Sequence, residues 1–238
     1  MKTPLLILLV LLGGTIVPPI ASAGTITSDG GTFGYTAAPG EANFVLLEQT
    51  TTCETLAAPC LHFTDLAYNP VTVPAACVDT GFNGVLCPLP RSAGIDLGDR
   101  VDLFSDWDGP SVIHAGPGED VVRAQGGNDV LYGDDGNDQL KGGGGVDRLY
   151  GGEGHDILVG ESSADKMYGE VGNDTLVGGN GSDLLNGGDG LDFNYGGNDD
   201  DYFYSRDLTF DFLAGDAGND SAESEDEDVR ETIENLIT

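Results

Sequence analysis

The chain has 238 residues, which allows at most two small domains and excludes a large multi-module enzyme. Only 9 Lys and Arg stand against 41 Asp and Glu, a formal charge of -32. So acidic a surface repels phosphate backbones and anionic headgroups, which argues against nucleic acid and electrostatic membrane docking and leaves divalent cations as the natural counter-partner.

In chain order, residues 1–23 read as a secretory signal peptide: Lys2 is the basic start, residues 5–12 are the apolar stretch, and Ala21-Ser22-Ala23 is a small-residue cleavage site. Gly13, Gly14, Pro18 and Pro19 break the apolar run short of the ~20 residues of a membrane span, so no transmembrane segment is expected in the mature chain. Cleavage after Ala23 predicts a secreted, extracellular protein that starts at Gly24. Loss of Lys2 leaves 8 basic against 41 acidic side chains, a charge of -33.

Residues 24–96 read as a separate β-rich segment, with strand-like runs at 43–47, 61–67 and 71–73 between Gly, Pro and Thr-rich turns. Cys53, Cys60, Cys77 and Cys87 fall inside this segment, and export to an oxidising compartment predicts two disulfides. Three connectivities are open. The most local joins Cys53 to Cys60 and Cys77 to Cys87.

From residue 115 to 204 the chain divides into ten consecutive nine-residue units without an insertion, such as GGEGHDILV at 151–159. Position six is Asp in all ten: Asp120, Asp129, Asp138, Asp147, Asp156, Asp165, Asp174, Asp183, Asp192 and Asp201. Position eight is apolar in nine, Val122, Leu131, Leu140, Leu149, Leu158, Met167, Leu176, Leu185 and Phe203, with Asn194 the exception. Position four is Gly118, Gly127, Gly136, Gly145, Gly154, Gly172, Gly181 or Gly190 in eight units, Ser163 and Asp199 in the others. The phase reaches back through Asp102 to residue 97. After a one-residue slip it returns once at 215–223 with Asp220 at position six. A glycine-rich linker has no reason to hold Asp and a large apolar residue two apart in phase.

This pattern resembles the RTX family of secreted calcium-binding repeats, whose nonapeptide is GGxGxDxUx. The resemblance implies an all-β fold, a right-handed parallel β-roll solenoid over residues 97–204. Each unit is then a six-residue calcium loop followed by a three-residue strand. It further implies that calcium is held between same-side loops eighteen residues apart, by the position-six carboxylates and loop carbonyls. Asp120, Asp138, Asp156, Asp174 and Asp192 then line one edge, and Asp129, Asp147, Asp165, Asp183 and Asp201 the other, with Asp102 and Asp220 as weaker members.

The chemistry asks for the same residues. Calcium takes six to eight hard oxygen ligands, and a short loop aims several carbonyls inward only where glycine permits φ > 0. One inward apolar side chain per nine residues does not offset the ordering of that backbone, and stacked carboxylates repel, so calcium is expected to act as a folding ligand. Departures weaken individual sites: Glu161 and Ser163 stand where glycine is expected, and Ser111 replaces an Asp.

Position nine of alternate units places Tyr132, Tyr150, Tyr168 and Tyr204 on one outer face, with Arg148 and Lys166 nearby at position seven. Two readings stand: a tyrosine ladder that stabilises a parallel sheet, or a binding face for a glycan or cell-surface partner. A secreted hydrolase is a distant third reading. His62, His114 and His155 are the only histidines, no H-E-x-x-H motif occurs, and residues 160–164 lack the last Gly of a nucleophile elbow, so no catalytic residue is assigned. His155, at a variable position five, reads as an exposed loop residue. Residues 205–238 read as a degenerate repeat and an acidic cap or tail, with Val229, Ile233 and Leu236 or Ile237 at helical spacing.

Overall fold

The computed structural model describes residues 24–28, 32–36, 44–50, 60–65, 71–72, 78–81, 84–88, 92–98, 102–105 and 109–237, apart from 225–227. The signal-peptide reading of residues 1–23 lies outside them, as do Cys53 and Cys77, so the disulfide reading does as well. The described residues form strands joined by bends and turns, and no helix among them is long and apolar enough to cross a membrane.

The described strands form two sheets of twelve and from Ser92 onward alternate between them, which makes the chain an all-β parallel solenoid of about seven turns. The first sheet stacks Ser111–His114, Val130–Asp135, Arg148–Gly154, Lys166–Gly172, Leu184–Asp189 and Tyr202–Ser205. The second stacks Val121–Arg123, Gln139–Gly144, Ile157–Ser162, Thr175–Asn180, Phe193–Asn198 and Phe212–Ala217. Each strand pairs in parallel with the one two units on, so Leu131 lies opposite Leu149, and Leu149 opposite Met167. Identical residues therefore stack on identical positions, and the repeat period becomes the register.

Position eight supplies the core. Ile113, Leu131, Leu149, Met167, Leu185 and Phe203 form one buried column, and Phe104, Val122, Leu140, Leu158, Leu176 and Leu213 the other. The outward positions seven and nine flank each inward residue, as strand alternation requires. Asn194 is buried in the second column between Leu176 and Leu213, without a hydrogen-bond partner for its amide.

The regular register begins earlier than the sequence phase indicates. Ser92–Asp96 pairs with Ser111–His114 so that Ile95 faces Ile113, and Leu103–Ser105 pairs with Val121–Arg123. Ahead of them, Thr32–Thr36 adds in parallel to Ser92–Asp96, and Phe44–Thr50 to Leu103–Ser105. Further strands then join antiparallel: Gly24–Ser28 on the first sheet, and Cys60–Asp65, Gly84–Pro88 and Val78–Gly81 on the second. The β-rich residues ahead of the array thus extend both its sheets. Unpaired N–H and C=O groups on a first rung favour such addition.

At the other end one extra residue, Ser205, lengthens the step to nineteen, and Asn194 and Phe203 face Leu213 and Ala222. The slip falls there because residues 206–214 are themselves a unit, with Asp211 and Leu213 in phase but a loop without glycine. Of the apolar residues at helical spacing near the C-terminus, Val229 and Leu236 lie in strands instead and Ile233 between them. Val229–Glu231 and Asn235–Leu236 close the two sheets, because the last rung offers main-chain partners that an isolated helix lacks.

Candidate metal centre

Eight of the ten six-residue loops turn at two left-handed residues. Position two has φ between 102° and 112° at Gly143, Gly152, Gly179, Gly188 and Gly197, and position four has φ from 120° to 156° at Gly127, Gly136, Gly145, Gly154, Gly172, Gly181 and Gly190. Space as well as φ demands glycine. A Cβ on Gly154 would lie 1.5 Å from the Gly136 carbonyl oxygen, and one on Gly136 1.4 Å from that of Gly118. Non-glycine residues keep the loop shape under strain at Asp134, Glu161 and Glu170 at position two, with φ 72°, 78° and 77°, and at Ser163 and Asp199 at position four, with φ 83° and 79°. Gly154→Ala is therefore expected to destabilise the calcium-loaded array by about 3 kcal/mol or more, the upper range for overpacking. Ser163→Gly should stabilise it by about 1 kcal/mol through relief of the left-handed backbone. Urea denaturation of the two variants checks both signs.

The second turn delivers position six to the interior, where the ten aspartates and Asp102 and Asp220 are all buried. They form two columns. On one edge the N–H of Asp102, Asp120, Asp138, Asp156 and Asp174 donates to Oδ1 of Asp120, Asp138, Asp156, Asp174 and Asp192 in turn, at 2.6–2.8 Å. On the other, the Ser111 N–H reaches Asp129 Oδ1 at 2.6 Å, and the chain of bonds runs on through Asp147, Asp165, Asp183, Asp201 and Asp220. The residue pairs expected from the eighteen-residue spacing are thus adjacent, joined through one carboxylate oxygen each.

The other oxygen is left over. Oδ2 of Asp120, Asp129, Asp138, Asp147, Asp156, Asp165, Asp174, Asp183, Asp192, Asp201 and Asp220 is buried without a hydrogen-bond partner. Burying an ionised carboxylate that way is costly, and the group answers by holding its proton. Burial, reinforced by neighbouring carboxylates of the same column, pushes Asp138, Asp165, Asp192 and Asp201 up to about 7, although the main-chain N–H bond opposes it. Asp120, Asp129, Asp174 and Asp183 rise to about 6, and burial pushes Asp147 and Asp156 up as well.

Main-chain oxygen stands beside these orphans. The point where a Cβ on Gly151 would sit is 2.4 Å from Asp156 Oδ2 and 2.6 Å from the Gly169 carbonyl oxygen of the next rung. Gly133, Gly160, Gly169 and Gly178 repeat that juxtaposition with Asp138, Asp165, Asp174 and Asp183. Among the described residues no three His, Cys, Asp or Glu side chains gather into a metal-binding group; the oxygens that come together here are a single carboxylate and a carbonyl from stacked loops. An all-oxygen set of this kind, with an uncompensated negative charge, fits a hard divalent cation.

The columns extend past the residues read from the sequence. The Asp192 N–H donates to Asp211 Oδ1, the Asp211 N–H to Asp228 Oδ1, and the Asp220 N–H to Glu234 Oε2. Asp211 was detectable as an Asp two before Leu213 and nine before Asp220. At the two ends serine hydroxyls reach the columns: Ser111 Oγ donates to Asp129 Oδ1 at 2.9 Å, and Ser205 Oγ lies 2.5 Å from Asp211 Oδ2. Along the loop exteriors a third ladder uses position five. The His155 N–H donates to Asn137 Oδ1, and His155 Nδ1 accepts from the Asn173 N–H, both at 2.8 Å, so His155 is a rung of that ladder.

On the first sheet's outer face, His114, Tyr132, Tyr150 and Tyr168 stack with centroids 4.4, 4.9 and 5.1 Å apart and rings within 9° of parallel. His114 joins a ladder the sequence reading confined to tyrosine, and Asn186 separates it from Tyr204. Within the stack each ring face is covered by its neighbour, which leaves edges to a ligand and favours a sheet-stabilising role over sugar stacking.

A family model for the RTX calcium-binding nonapeptide repeat, built of four copies, matches residues 108–140, 141–176 and 168–203. No curated protein matches the chain. The matched residues carry the glycine turns and most of both aspartate columns, and residues 108–203 of this chain are RTX calcium-binding nonapeptide repeats.

Proposed function

We propose that this is a secreted, non-enzymatic calcium-binding protein whose array folds as it binds Ca2+ between stacked loops and serves a structural or interaction role. The observation that carries the reading is the series of buried Oδ2 atoms without partners, those of Asp138, Asp156, Asp165, Asp174 and Asp183 beside a main-chain carbonyl of the next rung. Asp120 through Asp201 at position six would hold the ions with loop carbonyls. Bound calcium supplies the positive charge that the columns lack. The chain's own residues do the rest: glycines at positions two and four shape the loop, Oδ1 ties each rung to the previous one, and position eight seals the interior. Because binding is confined to the folded array, calcium stabilises it by mass action. A signal peptide cleaved after Ala23 and two disulfides among Cys53, Cys60, Cys77 and Cys87 belong to the same reading, as suits an exported chain.

The two edges are expected to differ. The Asp120–Asp192 edge keeps glycine at position four from Gly118 to Gly190, with left-handed Asp134 and Glu170 at position two, whereas the other has left-handed Ser163 and Asp199 at position four besides Glu161 at position two, and starts at Ser111. Asp156→Ala should raise the calcium midpoint more than Asp165→Ala, by about three- to tenfold for a difference of roughly 1 kcal/mol. Calorimetric titration of both variants tests it. The opposite ranking would overturn the edge assignment, and absence of calcium binding by the parent chain would overturn the function.

A further inference from the structure

The outward face of the second sheet changes character along its length. Along the last seven of its twelve strands, Arg123 and Lys141 stand at the limit nearer the middle of the sheet, Lys141 held by Glu161 at 2.6 Å. Glu231 stands at the other end, in register through Ala214. Between them the outward positions Ile157, Val159, Thr175, Val177, Phe193 and Tyr195 carry no charge, and neither does the next rung, Phe212 and Ala214. In a chain of net charge -32 this apolar strip is an exception: Ile157 is 45% and Phe193 42% exposed.

The strip is self-complementary. Near its basic end lies a groove of about 190 Å³, lined by Val121, Arg123, Gln139, Lys141, Ile157 and Val159. Near its acidic end Phe193, Tyr195 and Phe212 form an aromatic cluster, with Phe212 centroids 6.2 and 5.7 Å from the other two. The strand Thr175–Asn180 is equidistant: one rung separates it from Ile157 on one side and from Phe193 on the other, and three separate it from Arg123 and from Glu231.

We propose that this face docks a second copy of the chain, face to face and antiparallel, about a two-fold axis along Thr175–Asn180. That axis sets Phe193 and Tyr195 of the second copy against Ile157 and Val159 at the groove, and Glu231 of the second copy against Arg123. A parallel arrangement would oppose Arg123 to Arg123 and Phe193 to Phe193, which leaves the groove unfilled and like charges adjacent. The interface is isologous, as two-fold dimers require. Seven rungs at about 4.8 Å make a strip about 30 Å long, narrower than a standard interface of ~800 Å² per partner, so association is weak and concentration-dependent. Repulsion between two acidic copies is screened beyond ~8 Å at physiological salt.

Sedimentation equilibrium of the full chain between about 10 and 500 µM, in excess calcium and physiological salt, tests the proposal over the range of weak association. The wild type should pass from monomer to dimer, and Phe193→Asp should weaken the dimer at least about tenfold. Arg123→Glu and Glu231→Arg should each weaken it, and the double variant should restore it. That restoration distinguishes an interface from general damage, and circular dichroism in the same buffer reports whether each variant is folded. A folded wild type that stays monomeric throughout, whatever else its face binds, overturns the proposal, and so does a double variant no better than the singles.

Discussion

Chelation of calcium at pH 8 should remove most of the β-sheet circular dichroism and abolish hydrogen-exchange protection across residues 115–204. This is the largest effect expected of the molecule. At that pH the column carboxylates, with raised values near 6 to 7, lose their protons inside the solenoid. Each then leaves one buried oxygen without a partner, a few ångströms from the next charge in its column. The opposing forces are modest: one apolar side chain per unit and one ladder bond per strand residue, against the ordering of nine backbone residues. Protection should return cooperatively with added calcium because each Asp is shared by two stacked loops. Equal protection with and without calcium would show that the columns are tolerated as bare anions, and would remove calcium from the folding mechanism.

Acid should substitute for calcium. The folded-state carboxyls are raised from 3.8 to about 6 at Asp120, Asp129, Asp174 and Asp183, and to about 7 at Asp138, Asp165, Asp192 and Asp201. The native array therefore binds more protons than the unfolded chain throughout that interval, and its stability falls as pH rises. The stabilising contribution is complete below about pH 4 and is lost as pH passes through 6 to 7. Calcium-free protein at pH 5, above its isoelectric point of about 4.1, should hold much of its sheet signal and melt on titration to pH 8. With calcium present the same protons compete for the same oxygens, so the calcium midpoint should rise as pH falls below 7. Circular dichroism of dialysed protein from pH 5 to 8.5 reads the first effect. Folding that improves with rising pH in the absence of calcium would contradict the unpartnered-carboxylate account.

What the sequence determined by itself is everything that repeats. A period of nine with Asp at six and a large apolar residue at eight leads to stacked rungs, two aspartate edges and two core columns, because each unit's neighbours are copies of itself. Leu149 lies on Met167 and Asp138 beside Asp156 by periodicity alone. Tertiary structure decided whatever has no copy next door. Ser205 shifts the step, and Asp211 re-enters the column through a loop without glycine. The strands ahead of residue 92 join the solenoid's open edges, and residues 229–231 and 235–236 take strand partners despite helical spacing. The division of labour within each carboxylate was equally invisible. Only the stacked geometry shows that Oδ1 is spent on the N–H of the previous rung and that Oδ2 remains, since a hydrogen bond across eighteen residues depends on where the backbone returns, not on which side chain it carries.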